Sequence, residues 1–391
     1  MALFLRGAEW ASLGREERGD LRITRGRITE RSDRLAPRRR DHVVDLEEHW
    51  ILPGLVNGHD HLGLDLLPLL GTPPYASFYD WAGEIYRPRE SPIVDVERIR
   101  MSDRLAWGGW RNIFGGATTV AHHDPWHRRA FRAGAFPVHV VRCAWAHSLG
   151  FEDDLAGCYR PDRPFVVHAA EGTDDRAAGE VGELDRLGVL RENTVLIHAM
   201  AISGDDIETL ARRGCTVVWC PISNLRLYGR TAPVAELRGA GVDVVVGTDS
   251  TVSGGVTLLH ELRAAAETGE VSPGDLLPMV THRAATAFGL EMGRGTLEPG
   301  SRADVIAIPK RGSAAASLLA ARPRDVALVL VGGRPRLARP DVAESLLLGE
   351  ANAYLDGAPC RIDETFPALR SRLDRALGEK YPHSDLWTLC R

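Results

Sequence analysis

Short apolar runs alternate with amphipathic stretches through most of the chain. Continuous apolar runs predict buried β-strands at residues 51–59, 117–122, 137–143, 165–169, 194–198, 216–220 and 242–248. Apolar residues spaced three and four apart predict helices at residues 94–109, 179–187, 205–213, 232–240 and 258–267. This order of strands and helices is typical of a parallel sheet that is closed into a barrel or covered by helices.

The two ends of the chain differ from this middle part. Residues 21–28, 43–46, 295–308 and 326–333 show short apolar runs between turn signals, which predict small antiparallel strands. We expect the two ends to share one sheet.

The number of strands limits the fold class. Seven strands are predicted in the middle of the chain, whereas a closed barrel of this class has eight. The missing unit would lie between residues 144 and 164, a segment with room for little more than one short strand and a turn. We therefore predict an α/β fold, a (β/α)8 TIM-type barrel that is either complete or abbreviated around its fourth strand.

Composition narrows the class of protein. The chain has 391 residues with a net charge of −5, so we expect no nucleic-acid partner. No apolar stretch reaches the length of a membrane span and no secretory signal pattern is present, so we expect no membrane partner and a cytoplasmic location. Six cysteines without a CxxC pair argue against a disulfide framework and against a thiolate metal site.

The first chemical signal is the sequence PGLVNGHDH at residues 53–61. Residues two apart on a strand point to the same side, so His59 and His61 can present both imidazoles to one ion. Imidazole nitrogen suits zinc and iron. An HxH pair alone is weak evidence, because histidines also serve as core residues.

Further polar residues stand where later apolar runs end. The predicted strands near 165, 194 and 242 lead into His168 and Glu171, into His198, and into Asp249. In a (β/α) barrel the carboxyl ends of the strands converge on one mouth, where active sites lie. Each residue also has a structural explanation, such as a helix cap at Asp249, but that explanation would have to hold at four separate strands.

The chain resembles the amidohydrolase superfamily, in particular its cytosine-deaminase, chlorohydrolase and S-adenosylhomocysteine-deaminase-like branch. The similarity covers about residues 50–310 and rests on PGLVNGHDH, HAAEG at 168–172, His198, WCPISNLRL at 219–227, GTDS at 247–250 and GTLEPGSRADV at 295–305. It implies that His59, His61, His168 and Asp249 bind one divalent metal, with Zn²⁺ favoured over Fe²⁺. It also implies that Glu171 is the proton shuttle and that His198 contacts the nucleophile or the substrate.

The resemblance also implies a composite β-sandwich built from both chain ends. We expect residues 1–51 and 294–335 to form this sandwich, 52–293 to form the hydrolase barrel, and 336–391 to form a helical extension that packs on the barrel or on a second subunit of a homodimer. A lysine bridge between two metals is impossible, because the only lysines, Lys310 and Lys380, lie beyond the barrel. Glu171 could still recruit a second ion as a bridging carboxylate.

The predicted activity is hydrolysis at a cyclic amidine carbon of a small nitrogen heterocycle by metal-activated hydroxide, with release of ammonia. Asp249 would take a proton from the water, Glu171 would protonate the ring and the leaving group, and His198 would orient the attacking oxygen. Cyclic amide or imide hydrolysis and chloride displacement at the same site are alternatives. A non-catalytic metal-binding sensor is the alternative from another class.

Candidate substrate contacts are less specific. His122, His123 and Asp124 follow a predicted strand, and His147 follows the next one. Trp81 belongs to an aromatic segment that could stack on a planar substrate or simply pack in the core. Asn224 and Tyr228 follow Cys220-Pro221 and are expected to shape a loop at the site. We predict His147, His122, Trp81 and Asn224 as substrate contacts, with ligand orientation and packing as the other interpretations.

Overall fold

The computed structural model describes residues 2–132, 134–290, 293–378 and 385–390. Its strands are β1 (Ala2–Ser12), β2 (Arg15–Thr24), β3 (Arg27–Ser32), β4 (Asp41–Asp45), β5 (His49–Pro53), β6 (Leu55–Asp60), β7 (Ala117–His122), β8 (His139–Val141), β9 (Ala144–Ala146), β10 (Phe165–Ala169), β11 (Thr194–His198), β12 (Thr216–Trp219), β13 (Asp243–Val246), β14 (Val305–Pro309), β15 (Leu328–Val331), β16 (Arg334–Ala338), β17 (Ala353–Leu355) and β18 (Ala358–Ile362).

Helices lie between and after these strands. They are α1 (Phe78–Ile85), α2 (Ile93–Glu97), α3 (Met101–Phe114), α4 (Leu155–Cys158), α5 (Asp175–Arg186), α6 (Gly204–Arg213), α7 (Pro221–Tyr228), α8 (Val234–Gly239), α9 (Leu258–Thr268), α10 (Pro273–Met279), α11 (His282–Ala287), α12 (Ala314–Ala320), α13 (Pro340–Ser345), α14 (Thr365–Leu377) and α15 (Asp385–Leu389). None of the described helices is both long and apolar enough to cross a membrane.

The parallel strands form two sheets. One has the order β13-β12-β11-β10-β9 and the other the order β6-β7-β8, with every pairing parallel. Beyond the end of β13, the backbone N–H of Thr248 donates to the carbonyl of His59 at 3.0 Å and so ties this strand to β6. The parallel sheets agree with the predicted α/β fold, but no closed sheet is found among the described residues, so closure into a (β/α)8 barrel stays a prediction.

The interruption lies where the sequence left room for an abbreviated unit. β8 pairs with β7 and β9 pairs with β10, yet only Arg142 and Cys143 separate β8 from β9. Two neighbouring parallel strands need a crossover of roughly a dozen residues or more. Residues 139–146 therefore act as one bent strand, and the segment up to residue 164 adds only the four-residue helix α4.

The two chain ends share a ten-stranded mixed sheet in the described part of the chain. Its order is β17-β18-β16-β15-β14-β5-β1-β2-β3, with β4 beside β1. The expectation of a shared sheet is confirmed by the antiparallel pairing of β14 with β5. The pairings of β1 with β4 and β5 are parallel, which the turn-rich pattern did not predict. The sandwich and the domain limits stay predictions.

The C-terminal part differs from a purely helical extension. It carries α13, α14 and α15, but β17 and β18 add two strands to the edge of the mixed sheet. Phe366 of α14 packs on Trp110 of α3 with ring centroids 5.5 Å apart, so this extension contacts the helices of the parallel sheets. Residues 379–384 and 391 of the extension lie outside the described residues.

Candidate metal centre and active site

Three imidazoles from two strands meet at the carboxyl ends of the parallel sheets. His59 lies on β6, His61 follows it, and His168 lies on β10. Nε2 of His168 is 3.3 Å from Nε2 of His59 and 3.4 Å from Nε2 of His61. All three side chains are buried. We call these three nitrogens the Nε2 triad.

The partners of these rings fix which nitrogen carries the proton. Nδ1 of His61 donates to Oδ2 of Asp124 at 3.1 Å, and Nδ1 of His168 donates to the carbonyl of His147 at 2.9 Å. In the neutral rings, Nε2 of His61 and of His168 therefore carries a lone pair. Such outer partners orient the histidines of metal sites in the same way. Two facing lone pairs repel, so a shared cation, either a proton or a metal ion, would stabilise the close approach of these nitrogens.

The triad fits a metal ion. Two nitrogens bound tetrahedrally to one zinc at about 2.0–2.1 Å lie about 3.3–3.4 Å apart. The measured separations of 3.3 and 3.4 Å agree with this value. Oδ1 of Asp249 lies 3.7 Å from Nε2 of His59, so a carboxylate oxygen stands beside the triad. The structure thus brings together the four residues that the sequence predicted as ligands.

Hydrogen bonds hold the Asp249 carboxylate in place. Oδ2 accepts from the hydroxyls of Ser223 at 2.9 Å and Ser253 at 2.6 Å, and Oδ1 accepts from the backbone of Ser250 at 2.7 Å. Although burial raises the pKa of Asp249, the positive charges of His61 and His198 and these hydrogen bonds bring it below its usual value. Asp249 is therefore a carboxylate ready to bind a cation.

A fourth imidazole, His123, adjoins the triad. His123 groups with His59, His61 and His168 as a set of ligand atoms within 4.8 Å of one another. Its Nε2 donates to the carbonyl of Ala146 at 2.8 Å, and its buried Nδ1 has no hydrogen-bond partner among the described residues. The sequence marked His122 and His123 together. Their side chains point to opposite faces of the strand, and the alternation alone does not tell which one points inward.

Burial and charge set the protonation of the cluster. Burial, reinforced by the neighbouring histidines, lowers the pKa of His59 and of His168 well below its usual value, so both rings are neutral near pH 7. For His61 burial also lowers the pKa, but Asp124 outweighs it and raises the pKa to about 9. A proton and a metal cation would therefore compete for Nε2 of His61.

A second group of side chains stands beside the triad. Nε2 of His198 lies 3.5 Å from Oε2 of Glu171, and both side chains are buried. Oε1 of Glu171 accepts from the hydroxyl of Tyr228 at 2.8 Å, whereas Oε2 has no hydrogen-bond partner among the described residues. Burial raises the pKa of Glu171. A carboxyl group with a raised pKa and one open oxygen can give and take protons.

One helix holds both members of this group. Asn224 and Tyr228 lie one turn apart on α7, so they share a face. Oδ1 of Asn224 accepts from Nδ1 of His198 at 2.8 Å, which turns Nε2 of His198 toward Glu171. The expected loop is wrong, because residues 221–228 are helical. Pro221 at the first position of α7 was the available signal.

The backbone beside these groups is strained. His198 and Asp249 have φ values of +73° and +54°, and the alanines Ala170 and Ala199 have +52° and +47°. Left-handed backbone is uncommon for residues with a Cβ and clusters at functional sites. All four positions lie at or just after the last residues of β10, β11 or β13. Oε2 of Glu180 accepts from the backbone N–H of Ala170 at 2.7 Å and supports one of them.

The predicted substrate contacts occupy different places. The His147 ring lies 4.9 Å from the His168 ring, and His147 and Trp81 both line the apolar cavity beside the triad. His122 is buried against Phe131 and lies 3.8 Å from Asp124, outside the two groups of candidate ligands. Asn224 contacts His198, as described above. Their roles as substrate contacts stay predictions.

A buried ion network beneath the site was missed by the sequence reasoning. Nη1 of Arg111 on α3 donates to Asp60 at 2.9 Å, to Asp65 at 2.7 Å and to the carbonyl of Asp249 at 2.7 Å. Asp60 also accepts from Asn112 at 2.8 Å. The available signal was a charged residue within the aromatic segment WGGWRNIF at 107–114, because a buried arginine needs a partner.

Known proteins are similar to this chain in sequence and in fold. The model of the Amidohydrolase family matches residues 159–336. The 5-methylthioadenosine/S-adenosylhomocysteine deaminase of Teredinibacter turnerae is 29% identical over 327 residues, which cover 68% of this chain and 73% of that protein. The 5'-deoxyadenosine deaminase of Methanothrix thermoacetophila is 29% identical over 344 residues, which cover 75% of this chain and 81% of that protein.

Two solved structures share the fold. An adenosine deaminase from Xanthomonas campestris with bound zinc has a TM-score of 0.76 at 18% identity and covers 96% of this chain and 97% of its own. The atrazine chlorohydrolase of Arthrobacter aurescens complexed with zinc has a TM-score of 0.75 at 18% identity and covers 96% of this chain and 99% of its own. The family match and the relatives agree with the resemblance seen in the sequence motifs: residues 159–336 of the chain are similar to the Amidohydrolase family, and the fold is shared with the two zinc-bound structures.

Proposed function

We propose that this chain is a metal-dependent hydrolase that removes an amino group from an amidine carbon of a nitrogen heterocycle. The observation that carries the proposal is the Nε2 triad, in which Nε2 of His168 lies 3.3 Å from Nε2 of His59 and 3.4 Å from Nε2 of His61, while outer partners hold the Nδ1 atoms of His61 and His168. Glu171, with its open oxygen, lies beside this triad. Metal ligands and a proton carrier thus share one pocket.

The donor set favours zinc. His59, His61, His168 and Asp249 would hold the ion, because imidazole nitrogen with one carboxylate is a common zinc environment. When bound, a divalent ion supplies Lewis acidity and lowers the pKa of water toward about 7. His123 offers a further buried nitrogen beside this set.

Glu171 is the proposed proton carrier. Burial keeps a proton on its carboxyl group more readily than in water, and Oε2 is free to deliver it to a ring nitrogen. Protonating the ring makes the amino-bearing carbon a better electrophile. As water adds to that carbon, Asp249 accepts one of its protons. Glu171, a carboxylate after protonating the ring, takes the proton of the new hydroxyl group as the carbonyl forms and passes it to the departing amine. The proton on Asp249 then returns to Glu171, so both carboxyl groups recover their starting states. The balance is water plus the aminated ring giving the ring carbonyl plus ammonia.

His198 is the proposed partner of the attacking oxygen. Asn224 occupies its Nδ1–H, so only Nε2 is available toward the triad and Glu171. Tyr228 fixes the other oxygen of Glu171 and thereby its direction. Charge that develops on the attacking oxygen meets groups that are already oriented, which is the main source of rate enhancement at such sites.

Relatives named as deaminases of adenosine derivatives favour a purine-like ring for the substrate. The chlorohydrolase among the structural neighbours keeps chloride displacement as the second candidate. Product analysis separates the two, since deamination releases ammonia and dechlorination releases chloride. Cyclic amide hydrolysis would release neither.

The test is an ammonia-release screen over aminated purines, pyrimidines, pterins and triazines with zinc-loaded protein. Glu171→Gln should retain zinc and lower kcat by about 100-fold or more. Glu208→Gln, the same change at an exposed position of α6, is the control and should behave as wild type. Zinc-loaded Glu171→Gln with near-normal kcat would refute the proton-carrier role. Ligand binding without turnover would favour the sensor alternative.

The homodimer and the cytoplasmic location expected from the sequence also remain proposals. Sedimentation analysis of the purified chain and fractionation of cells that express it would test them.

A further inference from the structure

An apolar cavity of about 580 Å³ lies beside the Nε2 triad. Its walls include Leu64, Leu67, Trp81, Ile85, Val96 and Val252. Leu64 follows the ligand His61 by three residues, and Val252 follows Asp249 by the same interval. The volume is in the range of small-molecule sites, which is about 300–1,000 Å³.

The cavity adjoins the triad through two of its lining residues, which both contact the His168 ring. Phe78 and His147 line it, and their ring centroids are 5.1 Å apart. The Phe78 ring is nearly parallel to the His168 ring, at 6.2 Å with an angle of 5°. His147 lies 4.9 Å from His168 on the same side. A planar ring that reaches the triad would therefore have its outer substituent in this cavity.

The walls are mainly apolar, and three of their polar side chains already have hydrogen-bond partners: Trp81, Tyr79 and Arg104, whose Nε donates to the carbonyl of Gly63 at 2.9 Å. Nε1 of Trp81 donates to the carbonyl of Leu70 at 3.3 Å, and the hydroxyl of Tyr79 donates to Glu180 at 2.7 Å. Tyr86 and Glu97 are exposed at the mouth of the cavity. Because most of the wall is apolar, most hydroxyl groups of a buried sugar would lose water here without gaining a partner, which is unfavourable.

We propose that this cavity binds an apolar substituent of the substrate, an alkyl, thioalkyl or aryl arm carried by the aminated ring, in place of a hydroxylated sugar. This inference rests on the proposed deaminase function and specifies its substrate class. Binding of the arm removes apolar surface from water on both sides. Selectivity should therefore increase with the length of the arm until the cavity is filled.

The first test compares kcat/KM for ammonia release from 9-methyl-, 9-butyl- and 9-hexyladenine and from adenosine, with a parallel alkyl series on an amino-1,3,5-triazine. We expect kcat/KM to rise about fourfold per methylene up to the butyl arm, and butyladenine to exceed adenosine. A flat alkyl series, or adenosine as the best substrate, would overturn the inference and leave the deaminase function intact. If none of the probes releases ammonia, both the inference about the cavity and the proposed deaminase function are contradicted.

The second test places a charge in the wall. Ala82 on α1 lines the cavity and is half-buried, so Ala82→Asp adds a carboxylate at a position that the helix tolerates. The ratio of kcat/KM for the butyl substrate to that for the methyl substrate should fall at least about tenfold. Ala316→Asp, on the exposed side of α12, is the matched control and should leave the ratio unchanged. An unchanged ratio in Ala82→Asp would contradict the proposal.

A third variant tests the cavity without a charge. Ala82→Phe fills part of the space and should shorten the arm that gives the highest kcat/KM. Thermal unfolding of each variant confirms that it is folded before the ratios are compared. An unchanged optimum length in folded Ala82→Phe would place the substituent elsewhere.

Discussion

Replacing Arg111 with methionine tests how the buried network supports the site. The Arg111 side chain is 1% exposed and pairs with Asp60 and Asp65, both 0% exposed. Burial raises the pKa of Asp60 and of Asp65, and the Arg111 charge opposes that rise. In Arg111→Met both carboxyl groups lose their guanidinium partner, and the carbonyls of Asp249 and Gly255 lose a donor.

The magnitude follows from this burial. Removing one partner of a buried pair costs about 3–5 kcal/mol, because the remaining charge stays desolvated. With an unfolding entropy of about 2 cal/mol/K per residue, this loss lowers the Tm of a chain of this length by about 4–6 °C. Loss of the hydrogen bond to the Asp249 carbonyl also frees a strained residue beside the triad. We expect zinc affinity to fall by about 10–100-fold, as for other outer partners of metal ligands.

The assay pairs scanning calorimetry with zinc competition against a chelator. Arg22→Met is the matched control: Arg22 is 2% exposed and pairs with Asp41 and Glu30, but it lies in the mixed sheet. It should also lower Tm, while zinc affinity and kcat stay as in wild type. If Arg111→Met yields no folded protein, Arg111→Lys keeps the charge without the fork geometry and should give an intermediate loss.

The reasoning fails in either of two cases. A Tm within about 1 °C of wild type would mean that Asp60 and Asp65 are held by other groups. Equal losses of zinc affinity in Arg111→Met and Arg22→Met would mean that general destabilisation, not the contact with Asp249, controls the metal.

Three further outcomes test the site. Asp124→Asn removes the carboxylate that orients His61 and should weaken zinc binding about 10–100-fold in chelator competition; an affinity within twofold of wild type would argue against this role. Tyr228→Phe frees one oxygen of Glu171 and should lower kcat roughly tenfold at constant zinc content, measured by ammonia release; unchanged kcat would show that Glu171 needs no such support. Dialysis against a chelator should abolish turnover and zinc should restore it, so activity that survives metal-free dialysis would contradict the proposed chemistry.

The strands of the parallel sheets were the most predictable part of the fold. The predicted limits 117–122, 165–169 and 194–198 coincide with β7, β10 and β11. These runs are mostly apolar because both faces of the sheet are buried, and a histidine stands at or next to the carboxyl end of each. The same feature located His168 and His198, since strand ends carry the polar side chains of the mouth.

Helix limits were harder to predict where the helical spacing of apolar residues continues across the end of one helix into the next. One helix was predicted at 94–109, but the structure has α2 and α3 with an extended Arg100 between them, at φ −55° and ψ 132°. Apolar side chains of both pieces are buried, so the pattern does not reveal the turn. Helix α7 was missed for the opposite reason, because its polar residues serve the site and weaken the amphipathic pattern.

Side chains that act through long-range contacts could not be placed from the sequence. Asp60 appeared only as the middle residue of HDH, yet its side chain points away from the triad to Arg111, 51 residues later. The inward position of His123 likewise depends on how β7 pairs with its neighbours, including an irregular register beside β6. Which of these side chains points toward the triad is set by tertiary packing. The alternation of side chains along a strand does not determine it.

These contacts explain how the strained mouth of the parallel sheets persists. Each left-handed residue with a Cβ costs about 1–3 kcal/mol, and such a conformation survives only where its surroundings determine it. Here the carbonyl of Asp249 is held by Arg111 and the N–H of Ala170 by Glu180, both from helices behind the strands. The helices thus fix the backbone, and the backbone aims the carboxylate of Asp249 and the ring of His198. The geometry of the site therefore depends on Arg111 and Glu180, which lie behind the strands and outside the sequence motifs. The motif residues alone do not account for it.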